Sequence, residues 1–359
     1  MPNTLTGASA ANMDVVAGPP PYADQLWPAA PPPGQHPTAF SPSAPHKAVQ
    51  AATARDLVLI GALFLGALGL HIAAMWPAYP GTSASPIVSS TSETALYIGL
   101  ELGWALAGAL VLTRLSVRGG ILLGAGVGAV ELGYLVADSA SSVQGYGGQT
   151  PGVWLAVSGL GVGLAGVLLG AGTVAVGSPR QRLAPERQPR AILMVMAAFL
   201  ATAAFLPSWD RFSAVASATG QSASFTAGNA FSQGAGPLAG DLVAAIAIAF
   251  IPLIATYWHP AKLGLWATAG VMLALASQLA SAFVQVHTAI SPALSAGLMH
   301  SFGVTPAQVR SLGVHFSISL TNWWTADVAA VAALAALVAW DLLAARQEPE
   351  EPGTADEPA

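Results

Sequence analysis

The chain has 359 residues, 54% hydrophobic and only 8% charged, with a net charge of −5 and no cysteine. A water-soluble domain with an ordinary surface is excluded, because about a quarter of its residues would carry charge. A basic nucleic-acid-binding face is excluded as well, as are disulfides, thiolate nucleophiles and Cys-ligated metals.

Residues 1–54 are rich in Pro, Ala, Gly and Ser and have no periodic apolar face. They read as a disordered cytoplasmic tail. Pro19-Pro20-Pro21-Tyr22 within it has the form of a ligand for a WW-type groove, which would give the tail a cytoplasmic protein partner; a plain disordered tail is the leading reading of so short a motif. No basic start with an apolar core precedes the first apolar run, which would act as an uncleaved signal-anchor.

Eight apolar runs of near membrane-spanning length follow: Leu57–Trp76, Ala95–Leu115, Gly119–Ser139, Pro151–Val176, Ala191–Pro207, Leu238–Trp258, Leu263–Val286 and Trp324–Leu343. The expected fold is therefore all-α, a polytopic transmembrane helix bundle whose partner is the lipid bilayer. With the N-terminus inside, ten of the twelve Lys and Arg fall on the cytoplasmic side, and only Arg211 and Arg310 fall outside. That predicts a plasma-membrane protein with both termini in the cytoplasm. The Ala-, Gly- and Pro-heavy usage is the kind a GC-rich bacterial genome produces. Most tryptophans fall at the expected interfaces, but Trp104 lies deeper in the second run.

The loops suggest two parallel four-span repeats, residues 55–176 and 191–345, joined by a basic linker at 177–190 and followed by an acidic tail at 346–359. Glu131, Tyr134 and Asp138 share their spacing with Gln278, Ser281 and Gln285, with coincidence as the alternative. The third run carries Gly120, Gly124 and Gly128, and the fourth carries Gly159, Gly163, Gly166 and Gly170. Such stripes predict a close crossing of these two spans. Pro252 inside the sixth run predicts a kink.

Outside the spans, Ser208 to Pro237 reads as a Ser/Gly/Ala-rich loop forming a lid over an outer vestibule. In the last outer segment, Pro292 should start a short helix ending near Gly303. The capping box at Thr305 and Gln308 should start another, ending near Gly313.

The chemistry-bearing residues are few. Glu101 lies about 9 Å inward from Ala95, Glu131 about 12 Å from Ser139 and His71 about 8 Å from Trp76, at a helical rise of about 1.5 Å per residue. An ionisable group at such depth is a functional hypothesis by default. Tyr97 and Tyr134 offer each acid a hydroxyl neighbour. Asp138, Asp241 and Asp327 read as shallow interface or cap residues. The expected binding set for a small polar solute, proton or cation is Glu101, Glu131 and His71, with Asp241, Gln278 and Gln285 from the second half. No metal site and no cofactor is expected. Metalloprotease, nucleophile-elbow, Walker and dinucleotide motifs are missing, so no enzyme activity is predicted. A transporter-like bundle is the leading expectation. A membrane scaffold or sensor working through the Pro-rich tail is the alternative, and a lipid-modifying enzyme is a more distant third.

Overall fold

The computed structural model describes residues 53–75, 91–146, 151–174, 188–226, 235–257, 261–290 and 292–347, all within one compact unit. Most of the Pro-rich tail, of the basic linker and of the acidic tail, together with Trp76 and Trp258, lie outside the described residues, as does the side chain of Asp138. The helices are α1 (Ala54–Ala74), α2 (Thr91–Leu112), α3 (Val117–Tyr146), α4 (Pro151–Val174), α5 (Gln188–Phe205), α6 (Ala235–Tyr257), α7 (Ala261–His287), α8 (Pro292–Ser301), α9 (Pro306–Leu312) and α10 (Asn322–Gln347). Three strands, β1 (Asp210–Ala216), β2 (Gln221–Thr226) and β3 (Val314–Leu320), complete the described chain.

Among the described residues seven helices, α1–α4, α6, α7 and α10, are long and apolar enough to cross a bilayer; α5 is apolar but shorter. Their outward faces are hydrocarbon: Leu168 is 74% exposed, Met196 61% and Leu102 59%. Water would not tolerate that surface, and lipid requires it. Helix ends follow local chemistry. Thr53 caps α1 through a reciprocal pair with Asp56, whose backbone N–H donates to Thr53 Oγ1 while Thr53 N–H donates to Asp56 Oδ2 at 2.9 Å. α6 runs through Pro252 without a break in the helix, and Thr256 Oγ1 donates to the Pro252 carbonyl.

α1 packs against α2 and α4, α2 against α3 and α7, and α3 against α4, α6 and α7. α5 packs against α6 and α10, and α7 also packs against α6 and α10. Backbone meets backbone at glycine. A Cβ on Gly133 would lie 2.6 Å from both Ala244 N and Gly240 O, and one on Gly240 would lie 2.5 Å from Ala137 N and Gly133 O. Where α3 crosses α7, a Cβ on Gly126 would meet Ala267 O and Val271 N, while one on Gly270 would meet Leu123 O and Val127 N. The closest approaches of α3 are thus to α6 and α7. α3 and α4 do pack together, but most of their striped glycines receive side chains: Gly163 and Gly128 face the Trp104 indole, Gly166 faces Phe64 and Gly170 faces Ile121, while Gly120 meets the backbone carbonyl of Ala107 on α2.

The segment expected to be a lid loop supplies β1 and β2, and β3 from the last connecting segment completes a sheet of order β2-β1-β3, both pairs antiparallel, beyond the ends of α5, α7 and α10. Its signal was present in sequence: β3 alternates half-buried Val314, Phe316, Ile318 and Leu320 with exposed residues at period two. α8 and α9 form where expected. Thr305 and Gln308 make the capping box, and Gly313 ends α9 in the left-handed region at φ 59°. Phe225 stacks between Phe212 and Phe302, at centroid distances of 5.4 and 4.9 Å, giving this cap a small core of its own. Thr321 ties it to the bundle by donating from its N–H to Trp209 O at 2.7 Å and from its hydroxyl to Ser208 O at 2.9 Å.

Two predictions follow from these fits. Gly133→Ala should lose about 1–3 kcal/mol through forced backbone separation. Gly161→Ala, with nothing within 4 Å of the new atom, should be neutral; thermal unfolding in detergent compares them. Burial at the start of β1 pushes the Asp210 carboxyl up to about 6 from an ordinary 3.8, and its Oδ1 has no partner. The neutral form is the one the fold prefers, so cap stability should fall as pH rises through that window. Trp209 fluorescence reads the transition, and Asp210→Asn should flatten it.

Candidate functional site

His71, in the last turn of α1, is 1% exposed, Glu101 on α2 is 7% exposed and Glu131 on α3 is fully buried. Three separate helices bring them together. His71 Nδ1 lies 3.6 Å from Glu101 Oε1, and Nε2 lies 3.0 Å from Glu131 Oε1. Nε2 also lies 3.0 Å from the Ala156 carbonyl on α4, which accepts its hydrogen when that nitrogen is protonated. The remaining oxygen, Glu131 Oε2, accepts from the Trp104 indole N–H at 2.8 Å. Trp104 itself is fully buried, its ring tilted against Phe64 at 5.6 Å.

Glycine makes this arrangement possible. A Cβ on Gly159 would lie 2.6 Å from the imidazole of His71, so the ring rests directly on the backbone of α4. A Cβ on Gly163 would lie 2.6 Å from the indole of Trp104. The stripe along α4 therefore seats the two rings that hold the acids.

The polar ledger does not close. Fully protonated His71 offers two N–H groups and Trp104 offers one. Facing them are four carboxyl oxygens and the Ala156 carbonyl. His71 Nδ1, both oxygens of Glu101 and Glu131 Oε1 have no hydrogen-bond partner in suitable geometry. With both acids ionised, even a charged imidazole leaves one negative charge over. An unmatched charge in a low-dielectric interior is strongly unfavourable.

The other sequence-predicted residues lie elsewhere. Asp241 on α6 is half-buried and, together with Asp327 on α10, acts electrostatically on Tyr134. Asp327 departs from its expected interface position: it is fully buried, with neither oxygen hydrogen-bonded, because α10 turns that face inward beside buried Ala330 and Leu334. The Tyr134 hydroxyl also lacks a hydrogen bond. Gln278 is half-buried with an unpartnered Oε1, and Gln285 is half-buried two turns further along α7. No hydrogen bond or ion pair described for these residues joins them to His71, Glu101 or Glu131. Among the described residues no group of His, Asp and Glu has the geometry to hold a metal ion.

Trp104 is the functional residue that sequence reasoning passed over. Its signal was its depth, since a tryptophan away from the interfaces needs an internal partner for its N–H. The Ala156 carbonyl and the Gly159 seat carry no signal in sequence.

The fold is that of an integral membrane protein, with a buried His–Glu–Glu–Trp cluster built from the last turn of α1 and the middle of α2 and α3. Compared with family models, curated proteins and solved structures, the chain matches none.

Trp104→Phe keeps the ring and deletes the donor, leaving Glu131 Oε2 orphaned. The variant should lose about 1–3 kcal/mol of stability, the penalty for a buried acceptor without a partner. Thermal unfolding in detergent checks it, and an unaltered midpoint would rule out the bond.

Proposed function

We propose that this protein is a transporter-like bundle in which His71, Glu101 and Glu131 bind a proton or a cation from the outer side of the membrane. The donor shortfall around the two glutamates carries the reading: the cluster is electrically and geometrically complete only when it takes up positive charge. Protons satisfy it by turning a carboxylate into an O–H donor. A cation or a cationic solute satisfies it by direct pairing.

The full reading is of eight spans in two four-span halves, related by an axis along the membrane normal. The neighbour pattern supports it. Exchanging α1–α4 for α5, α6, α7 and α10 maps each helix contact described above onto another. The α3–α7 crossing is reciprocal too: Gly126 and Gly270 each face the carbonyl three residues before the other glycine and the amide one residue after it. In this arrangement α5 takes the place of α1, which supports its counting as a span despite its length. Gly126 then corresponds to Gly270, so Leu275 rather than Gln278 answers to Glu131. The polar spacing read from sequence implied a different register. The acidic site belongs to the first half alone, and such asymmetry suits a site served by a shared scaffold.

The orientation proposed is both termini in the cytoplasm of a plasma membrane, supported by the one-sided basic residues. The chain lacks cysteine, so single-cysteine variants report topology without background. Ala184→Cys should react with an impermeant maleimide only in inside-out vesicles, and Ala218→Cys only in intact cells.

For the site, infrared difference spectra of the purified protein across a pH jump should contain protonated-carboxyl bands that disappear in Glu101→Gln and Glu131→Gln. The same substitutions in proteoliposomes should abolish pH-linked binding or flux. Spectra and uptake identical to the parent protein would refute the proposal.

A further inference from the structure

α1 and α2 do not pack evenly along their length. At one end they touch closely, with Gly61 against Leu112 and Gly108 against Leu65. Toward the end that carries His71 they leave a crevice of about 380 Å³, lined by Leu68, Ile72 and Met75 of α1 and by Ile98, Leu102 and Ala105 of α2. Its remaining lining residue is Glu101, the one polar group in an otherwise hydrocarbon wall. Ile72, Ile98 and Leu102 are each half-exposed or more on the outer face of the bundle, so the crevice opens sideways toward lipid.

Resting on the reading of His71, Glu101 and Glu131 as a charge-accepting site, we propose that the crevice between α1 and α2 admits a lipophilic monocation from the bilayer onto Glu101. Two observations select this class of ligand. The walls offer only apolar contact, so a hydrated ion would shed water there with nothing to replace it. The floor offers an acid, nine-tenths buried, with both oxygens lacking hydrogen bonds, so a neutral lipid chain would leave its polar atoms as they are. A hydrophobic body bearing one positive charge satisfies both at once.

The exchange balances. Protonated Glu101 gives up its proton to water, the carboxylate so formed pairs with the cation, and the total charge of the cluster is unchanged. Other groups share the field at Glu101: His71 from α1 and Glu131 from α3. α7, the remaining helix packed on α2, carries ionisable side chains only at its ends, Lys262 and His287.

The test uses the full chain in lipid nanodiscs with tetraphenylphosphonium as probe, tetraphenylborate as its anionic counterpart and tetramethylammonium as a hydrophilic cation. Saturable tetraphenylphosphonium binding is expected, weakening as pH falls and releasing one proton per cation in weak buffer. Glu101→Gln should abolish it. Ala105→Trp and Met75→Trp, which fill the crevice from opposite walls, should each weaken it at least tenfold while the protein stays monodisperse. Neither control ion should compete. Binding of the borate with equal affinity, or tetraphenylphosphonium binding unmoved by both tryptophans, would overturn the proposal and leave a lipid-filled groove. If tetraphenylphosphonium fails to bind while Glu101→Gln still removes a protonated-carboxyl band, this inference falls and the charge-accepting site stands. If that band is also unchanged, both fall.

Discussion

In hydrocarbon, helices gain nothing by hiding apolar side chains from their surroundings, because the surroundings are equally apolar. Association rests on how closely the backbones can approach. In this protein α3 meets that constraint twice, at Gly133 against Gly240 and at Gly126 against Gly270. These approaches bury α3 in the middle of the bundle, in contact with α2, α4, α6 and α7. The depth of Glu131 is a consequence. An acid on a central helix has no lipid-facing or water-facing rotamer to escape into.

From that burial the chemistry follows. The fold surrounds Glu131 with one indole N–H and one imidazole, and sets Glu101 on the far side of the same imidazole. It supplies rigid seats for both rings at Gly159 and Gly163. It does not supply enough donors. A structural polar network would be closed, since a half-satisfied network is less stable than an apolar core. The unfilled positions here lie where α1 and α2 separate and Glu101 becomes reachable. Rigid glycine seats and an opening beside Glu101 thus belong to the same cluster.

The cap has a different logic. It lies outside the apolar belt, so it can use hairpins and an aromatic cluster as a soluble domain does. Its attachments run through Trp209, Thr321 and the start of α10. The helices that hold the His–Glu–Glu–Trp cluster, α1, α2 and α3, have no described contact with it among the element pairs that pack.

The helical spans and the two short helices α8 and α9 were legible in sequence because each depends on local composition: apolar length, a capping box, a glycine in the left-handed region. The strand pattern in β3 was equally local, while β1 and β2 lay in a segment whose Ser, Gly and Ala composition read as loop. Depth pointed correctly to His71, Glu101 and Glu131 as unusual. Their meeting did not follow from depth, because three helices must be placed side by side and rotated before an imidazole can touch two carboxylates. The same holds for Trp104, whose partner lies on another helix, and for Asp327, which sequence position alone put at the interface. The residues by themselves determined that this chain dissolves in a bilayer and carries a few acids within its spans. Which acids share a cavity, which glycines seat which rings and where the bundle opens were decided only by tertiary contact, since rotation about a helix axis leaves no trace in a uniformly apolar sequence.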